Sequence, residues 1–145
     1  MTNRAPPEPG TPACGTVWLV ILGIGTDLIE IARIAHSIDR FGDSFLRRVY
    51  TPEEIAYCRA RNKTSAQSFA ARFAAKEAAA KALGTGIARG VAWTEFAVTR
   101  LPGQRPTLQF HGRAAELAAR LGVTRTHLSL THARDQAIAI VLLES

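Results

Sequence analysis

One stretch, Ser68–Gly86 (SFAARFAAKEAAAKALGTG), constrains the fold of this chain more than any other. At 3.6 residues per turn, one face of the helix that it predicts is bulky and apolar, formed by Phe69, Phe73, Ala80 and Leu83. Alanines make up most of the far side, and a helix that is apolar nearly all round is usually buried. The same stretch contains four charged residues, Arg72, Lys76, Glu77 and Lys81. Because an unpaired buried charge is strongly destabilising, we expect partners for these charges, typically a metal ion and phosphates.

The length of 145 residues indicates one domain, and the hydrophobic content of 47% is ample for its core. The first sixteen residues contain four of the seven prolines and lack the apolar segment of a signal peptide. We therefore predict a disordered proline-rich tail at 1–16 and a single domain at 17–145. No apolar run reaches the length of a membrane-spanning helix.

The charge balance favours an acidic partner. Lys and Arg number 18 against 12 acidic residues, which gives a formal net charge of +6. Nucleic acid, an anionic membrane and an acidic protein are all compatible with such a surface. The two cysteines, Cys14 and Cys58, form neither a disulfide framework nor a metal-ligand spacing, which favours a reducing cytoplasm.

The order of the predicted elements indicates an α+β fold with a mainly antiparallel sheet and a long central helix. Strands are predicted at Leu19–Gly25, Trp93–Arg100, Thr107–Phe110, His127–His132 and Ala137–Leu143. Helices are predicted at Leu28–Arg40, from Thr51 to about Arg61, from about Ser65 to Gly84, and at Gly112–Leu121.

Two carboxylates of this pattern are candidate metal ligands. Asp27 follows the first predicted strand, where it also suits the N-cap of the next helix. Glu77 lies on the flank of the central helix, where an ion pair with Lys81 at i+4 is the alternative. Together the two carboxylates are the hard oxygen ligands that Mg²⁺ accepts, and Lys81 can meet phosphate oxygens as a point charge.

Other polar residues admit both a functional and a structural interpretation. Lys76 projects toward the apolar face of its helix and is interpreted as snorkelling along it. Gly84 and Gly86 could allow close approach of a ligand, although a helix C-cap and turn explain them better on their own. His132, at the end of a strand, fits a structural histidine. The basic residues Arg33, Arg40, Arg47 and Arg48 form either a solvated face or a docking surface for an acidic partner.

Two segments resemble the signature segments of the holo-[acyl-carrier-protein] synthase family, the small 4′-phosphopantetheinyl transferases. They are GIGTDLIEIARI (Gly23–Ile34) and RFAAKEAAAKALGTGI (Arg72–Ile87). The similarity extends over Val20–Ser145, everything except the tail. One departure is Gly103–Pro106, which has an additional residue where the family has a G-K-P turn.

The resemblance implies transfer of 4′-phosphopantetheine from coenzyme A to a serine of apo acyl carrier protein, with release of adenosine 3′,5′-bisphosphate. It further implies the α+β fold of the family, a homotrimer, and a role in fatty acid biosynthesis in the cytoplasm, without a nucleic-acid or membrane partner. Of the site residues, Asp27 and Glu77 would bind Mg²⁺, and Lys81 would contact the pyrophosphate. All three are assigned to catalysis.

The resemblance assigns two further groups of residues. The first group would bind coenzyme A, with its 3′-phosphate held by Arg72 and His132 and its cleft lined by Gly84 and Gly86. The second group would dock the carrier protein and consists of Arg33, with Arg40 and Arg47 as weaker companions. The alternative function is a small basic nucleic-acid-binding domain, which the net charge favours. The aromatic content of 7% and the lack of a basic run with interleaved stacking residues argue against it.

Overall fold

The computed structural model describes residues 18–145, so the predicted tail at 1–16 lies outside the described residues. The helices are α1 (Ile31–Phe41), α2 (Asp43–Val49), α3 (Pro52–Arg59), α4 (Ser65–Leu83) and α5 (Gly112–Leu121). The strands are β1 (Ile21–Glu30), β2 (Phe96–Thr99), β3 (Thr107–Phe110), β4 (Arg125–His132) and β5 (Gln136–Glu144). Within residues 18–145, no helix is long and apolar enough to cross a membrane.

The main sheet has the strand order β1-β5-β4, with both pairs antiparallel, and α4 covers one of its faces. Alternation along β5 fixes this arrangement, since every second side chain is buried, at Ala137, Ala139, Val141 and Leu143. The hairpin β2–β3 forms a separate two-stranded sheet. The α+β class and the mainly antiparallel sheet are therefore confirmed.

Two glycines bring β1 unusually close to α4. A Cβ atom added to Gly23 would lie 2.1 Å from the carbonyl oxygen of Ala82, and one added to Gly25 would lie 1.9 Å from that of Ala78. Only glycine on the strand fits this contact, and the small alanines of α4 leave room for the approach. Asp27, two residues beyond Gly25 and on the same face of β1, is thereby directed toward the flank of α4.

The boundaries of α3 and α4 follow local rules. Thr51 caps α3 in a reciprocal capping box with Glu54, and Pro52 occupies the first turn. α4 ends at Gly84, which takes a left-handed conformation with φ of 81°. Its backbone N–H donates to the carbonyls of Ala80 and Lys81. Both predicted termini are confirmed.

Two predicted boundaries were wrong. β1 continues through Asp27 to Glu30, so Asp27 pairs with Ala139 in the ladder and is no helix N-cap. Long-range pairing with β5 overrides the helical spacing that begins at Leu28. Trp93–Glu95 forms a 3₁₀ turn before β2, closed by the Glu95 carboxylate accepting from the Ala92 N–H at 3.0 Å. In addition, the sequence did not predict the helix α2, which follows Gly42.

Candidate active site

The interior of the protein contains one lysine of α4, fully buried. The Nζ atom of Lys76 lies 2.7 Å from Oε2 of Glu54, and their side chains are 0% and 1% exposed. Nζ also donates to the carbonyls of Trp93 at 3.1 Å and Phe96 at 2.5 Å. Burial lowers the pKa of Lys76, while the charge of Glu54 acts in the opposite direction. The snorkelling interpretation is therefore wrong, because this lysine is fixed inside the fold.

A second ion pair lies at the edge of α4, where β1 passes it. Nζ of Lys81 donates to Oδ1 of Asp27 at 2.9 Å and to the carbonyl of Thr26 at 2.9 Å. The Lys81 side chain is 51% exposed and that of Asp27 is 16% exposed, so this pair faces solvent. Lys81 therefore pairs with Asp27 across the strand–helix contact and not with Glu77 along the helix.

Glu77 lies one helical turn before Lys81 on the same flank of α4, half-buried. Its Oε1 atom accepts a hydrogen bond from Nε1 of Trp93 at 2.9 Å. The structure thus gathers Asp27, Glu77 and Lys81 at one edge of α4, although they come from segments some fifty positions apart. We call these three residues the carboxylate–lysine group.

The carboxylate–lysine group fits a Mg²⁺ ion that is completed by a substrate. Mg²⁺ is bound by one or two carboxylates, with waters and substrate phosphates in its other positions. Within residues 18–145, no cluster of three or more His, Cys, Asp or Glu side chains is suited to holding a metal by itself. Two carboxylates at a partly exposed edge, with a lysine beside them, match a Mg²⁺ site in which substrate phosphates supply further ligands.

A cavity of about 620 Å³ opens beside the first half of α4 and is strongly basic. Four arginines and a histidine line it: Arg61, Arg72, Arg100, Arg105 and His132. Arg72 is only 4% exposed, and its buried Nε has no hydrogen-bond partner within the described residues. A buried donor without a partner indicates a missing acceptor, and a phosphate group supplies several.

Tyr57 orders two of these arginines. Its ring stacks against the Arg72 guanidinium at 4.0 Å and the Arg61 guanidinium at 4.6 Å, and Arg61 also donates to the Tyr57 hydroxyl. Burial raises the pKa of Tyr57, but the hydrogen bond from Arg61 and the charges of both arginines outweigh it, so the pKa lies below its ordinary value. This tyrosine keeps the positive charges of the cavity close together.

Comparisons with known proteins identify the family of this chain. Residues 23–141 match the family described as the 4′-phosphopantetheinyl transferase superfamily. A holo-[acyl-carrier-protein] synthase of Koribacter versatilis is 56% identical over 125 residues, which cover 86% of this chain and 99% of that protein. The chain belongs to the holo-[acyl-carrier-protein] synthase family.

Solved structures of holo-[acyl-carrier-protein] synthases share the fold. The enzyme of Neisseria meningitidis superposes with a TM-score of 0.76 at 35% identity, covering 87% of this chain and 100% of that chain. The enzyme of Helicobacter pylori, solved in complex with coenzyme A, gives a TM-score of 0.72 at 32% identity over 83% of this chain and 98% of that chain. The predicted family and enzyme class are thereby confirmed.

The other residues expected from the synthase family are spread over three places. Arg72 and His132 both line the basic cavity. Gly84 and Gly86 lie beyond the carboxylate–lysine group, have positive φ, and do not line that cavity. The docking candidates are exposed on two consecutive helices, with Arg33 and Arg40 on α1 and Arg47 on α2.

Sequence reasoning missed several residues of both sites. Trp93 bonds to Glu77 although sixteen positions separate them, and the bulky pattern around it predicts only a strand residue. Tyr57 lies in the last turn of α3 and Arg61 follows four positions later, just beyond its end, a spacing that is itself a usable signal. Arg100 and Arg105 flank a loop, and only the folded hairpin places them at the cavity.

Proposed function

We propose that this protein transfers 4′-phosphopantetheine from coenzyme A to a serine of apo acyl carrier protein. The observation that carries the proposal is the pair of anion-binding features along α4, the basic cavity and the carboxylate–lysine group. Arg72 and Lys81 are nine residues apart, about 14 Å along a helix axis. Coenzyme A has two anionic groups on one ribose, a 3′-phosphate and a 5′-pyrophosphate, and the basic cavity and Lys81 offer a cationic group to each.

Within this proposal, Asp27 and Glu77 hold Mg²⁺, which neutralises negative charge on the pyrophosphate when bound. Lys81 supplies a second positive centre, because its half-exposed Nζ can exchange the Asp27 carboxylate for a phosphate oxygen. Phosphoryl transfer depends mainly on positioning and charge stabilisation, which this group provides. The serine proton leaves to water or to a carboxylate oxygen of the group.

The 3′-phosphate of coenzyme A belongs in the basic cavity. Arg72, with its unpartnered Nε, and His132 are assigned to the 3′-phosphate. Gly84 and Gly86 are assigned to the cleft near the pyrophosphate, because they lie within five positions of Lys81, just after the end of α4. A coenzyme A without its 3′-phosphate is therefore expected to bind less tightly.

The carrier protein is proposed to dock on the basic residues of α1 and α2. Arg33 is the principal contact, with Arg40 and Arg47 as weaker companions, and all three are exposed. Acyl carrier proteins are small and acidic, so opposite charge raises the encounter rate. This role accounts for the net charge of +6.

A homotrimer is also proposed, supported by the face of the main sheet that α4 does not cover. That face exposes the large apolar side chains of Ile24, Leu28 and Ile140, which are 66%, 54% and 46% exposed. They are neighbours across the β1–β5 pair, so they form one continuous patch. Burial against copies of the same chain removes such a patch from water. The expected location is the cytoplasm and the expected pathway is fatty acid biosynthesis.

The direct test is incubation with apo acyl carrier protein, coenzyme A and Mg²⁺, followed by intact mass measurement. We expect the carrier to gain one phosphopantetheine group and adenosine 3′,5′-bisphosphate to appear in equal amount. Dephospho-coenzyme A serves as the matched co-substrate and should give a higher KM. Absence of the adduct on the carrier would contradict the proposal, and a shifted band with DNA would favour the nucleic-acid alternative.

The domain proposal and the trimer have separate tests. Removal of residues 1–16 should leave turnover unchanged if 17–145 is the catalytic domain, and loss of activity would make the tail part of the enzyme. Sedimentation equilibrium should report three chains for the wild type and one for Leu28→Glu, which places a charge in the apolar patch. A monomeric wild type would overturn the trimer.

A further inference from the structure

We propose that Trp93 is a positioning residue of the divalent-cation site, and that its indole N–H holds Glu77 in the orientation that binds the metal. The inference depends on the proposed function, in which Asp27 and Glu77 share a Mg²⁺ ion. The observation behind it is a 2.9 Å hydrogen bond that Nε1 of Trp93 donates to Oε1 of Glu77, between two half-buried side chains. An N–H donated to a ligating carboxylate fixes its rotation and leaves the other oxygen for the metal.

Trp93 can orient another residue because its own position is fixed on several sides. Its carbonyl accepts a hydrogen bond from the buried Nζ of Lys76 at 3.1 Å. The turn that contains it is closed by Glu95, which accepts from the N–H of Ala92 at 3.0 Å and from that of Arg113 at 2.9 Å. The Trp93 backbone is thus anchored to α4 and α5.

The indole ring is held as firmly as the backbone. It packs against Phe73 of α4, with ring centroids 6.1 Å apart, and the guanidinium of Arg48 lies 5.8 Å from its centroid. With ring and backbone both restrained, Nε1 points at one place. Glu77 is a flexible side chain at a partly exposed edge, so a rigid donor beside it removes conformations that cannot bind a cation.

Asp27 and Glu77 are held in orientation by different parts of the structure. Asp27 lies within the β1–β5 ladder, and its Oδ1 is held by Lys81. The strand, the short side chain and the bond from Lys81 together orient this ligand. Glu77 has a longer side chain and, within residues 18–145, receives its hydrogen bond from Trp93 alone. Trp93 therefore supplies for Glu77 what the strand and Lys81 supply for Asp27.

The experiment measures cation binding without turnover. Mn²⁺ is titrated into protein saturated with coenzyme A, with no carrier present, and free Mn²⁺ is followed by electron paramagnetic resonance. Trp93→Phe removes the donor and keeps an aromatic ring. Replacement of Trp93 by benzothienylalanine keeps the bicyclic ring and substitutes sulfur for the N–H. Trp18→Phe is the matched control, because Trp18 is 71% exposed near the start of the described chain.

Both changes at Trp93 should raise the Kd for Mn²⁺ about tenfold, which is the lower end of the range for losing a hydrogen bond to a metal ligand. The Kd for coenzyme A alone should stay unchanged. Trp18→Phe should match the wild type. A Kd for Mn²⁺ within twofold of wild type in either Trp93 protein would overturn the inference. If only Trp93→Phe weakens binding, ring packing and not the N–H is responsible, which also overturns it.

Glu77→Gln separates failure of this inference from failure of the proposed function. If Glu77→Gln binds Mn²⁺ as tightly as the wild type, Glu77 is no ligand, and the proposed metal site fails together with the role of Trp93. If Glu77→Gln loses Mn²⁺ but both Trp93 proteins retain it, the metal site stands and only the positioning role is wrong.

Discussion

Lys76 and Lys81 lie five residues apart on the same helix, yet they belong to opposite environments. Each pairs with a carboxylate from a distant segment, at 2.7 Å for Lys76 with Glu54 and 2.9 Å for Lys81 with Asp27. The first pair is entirely buried, whereas Lys81 is half-exposed. The two pairs have nearly the same geometry and differ in their access to solvent.

Access to solvent decides what each pair can do. A buried pair must keep every hydrogen bond that it makes, because an unpaired charge in the interior is strongly destabilising. Glu54 and Lys76 therefore join α3, α4 and β2 permanently. An exposed pair contributes little to stability, so Lys81 can exchange its partner at small cost. A replaceable partner is what an anion-binding lysine requires.

The largest effect is expected from Lys76→Met, which leaves the Glu54 carboxylate buried without its cation. The free energy of unfolding should fall by about 3–5 kcal/mol, measured by urea denaturation. The double change Lys76→Met with Glu54→Gln removes the stranded charge and keeps an acceptor for the Val98 N–H, so it should recover part of the loss. A single variant within about 1 kcal/mol of the wild type would show that the pair is not a structural element.

The next largest effect is expected from Asp27→Asn, and it should fall on activity. Replacing one of two carboxylates weakens the cation site, so turnover at a fixed Mg²⁺ concentration should drop about 100-fold. The free energy of unfolding should change by less than about 1 kcal/mol, because the pair is partly exposed. Residual turnover above about a tenth of wild type would contradict a shared metal site.

The features that were predictable from sequence are those fixed by neighbouring residues. Thr51, Pro52 and Glu54 mark the start of α3 through a capping box, and Gly84 marks the end of α4. The burial of α4 follows from its composition alone, and so does the need for partners to its charges. The resemblance to the family predicts Asp27 and Glu77 as metal ligands, and that role stays a prediction.

The features that were not predictable depend on contacts between distant segments. Leu28 begins a helical pattern, but pairing with β5 keeps β1 extended to Glu30. Glu54 looks like an ordinary N-terminal acid of α3, and only the packing of α3 on α4 reveals it as the partner of Lys76. The arginines of the basic cavity come from three separate segments, so no local pattern groups them.

A smaller effect is expected from Lys81→Met, which tests whether the exposed pair serves ligand binding. The KM for coenzyme A should rise about tenfold, because the variant loses one charge-assisted hydrogen bond to phosphate. The free energy of unfolding should stay within about 1 kcal/mol of wild type, in contrast to Lys76→Met. If Lys81→Met were as destabilising as Lys76→Met, the distinction between the two pairs would fail.

The smallest effect is expected from Arg33→Ala, which extends the comparison to a charge that is fully on the surface. Arg33 is exposed on α1, so its attraction to an acidic carrier acts through water and is screened by salt. The KM for apo carrier protein should rise about threefold at low ionic strength, since an exposed ion pair contributes at most about 1 kcal/mol. The difference from wild type should shrink as the Debye length falls from about 30 Å at 0.01 M salt to about 8 Å at 0.15 M. Arg120→Ala, an exposed arginine on α5, is the matched control and should leave the KM for carrier unchanged. A change in the KM for coenzyme A alone would remove Arg33 from the docking surface, because a docking residue acts on the carrier and not on the nucleotide.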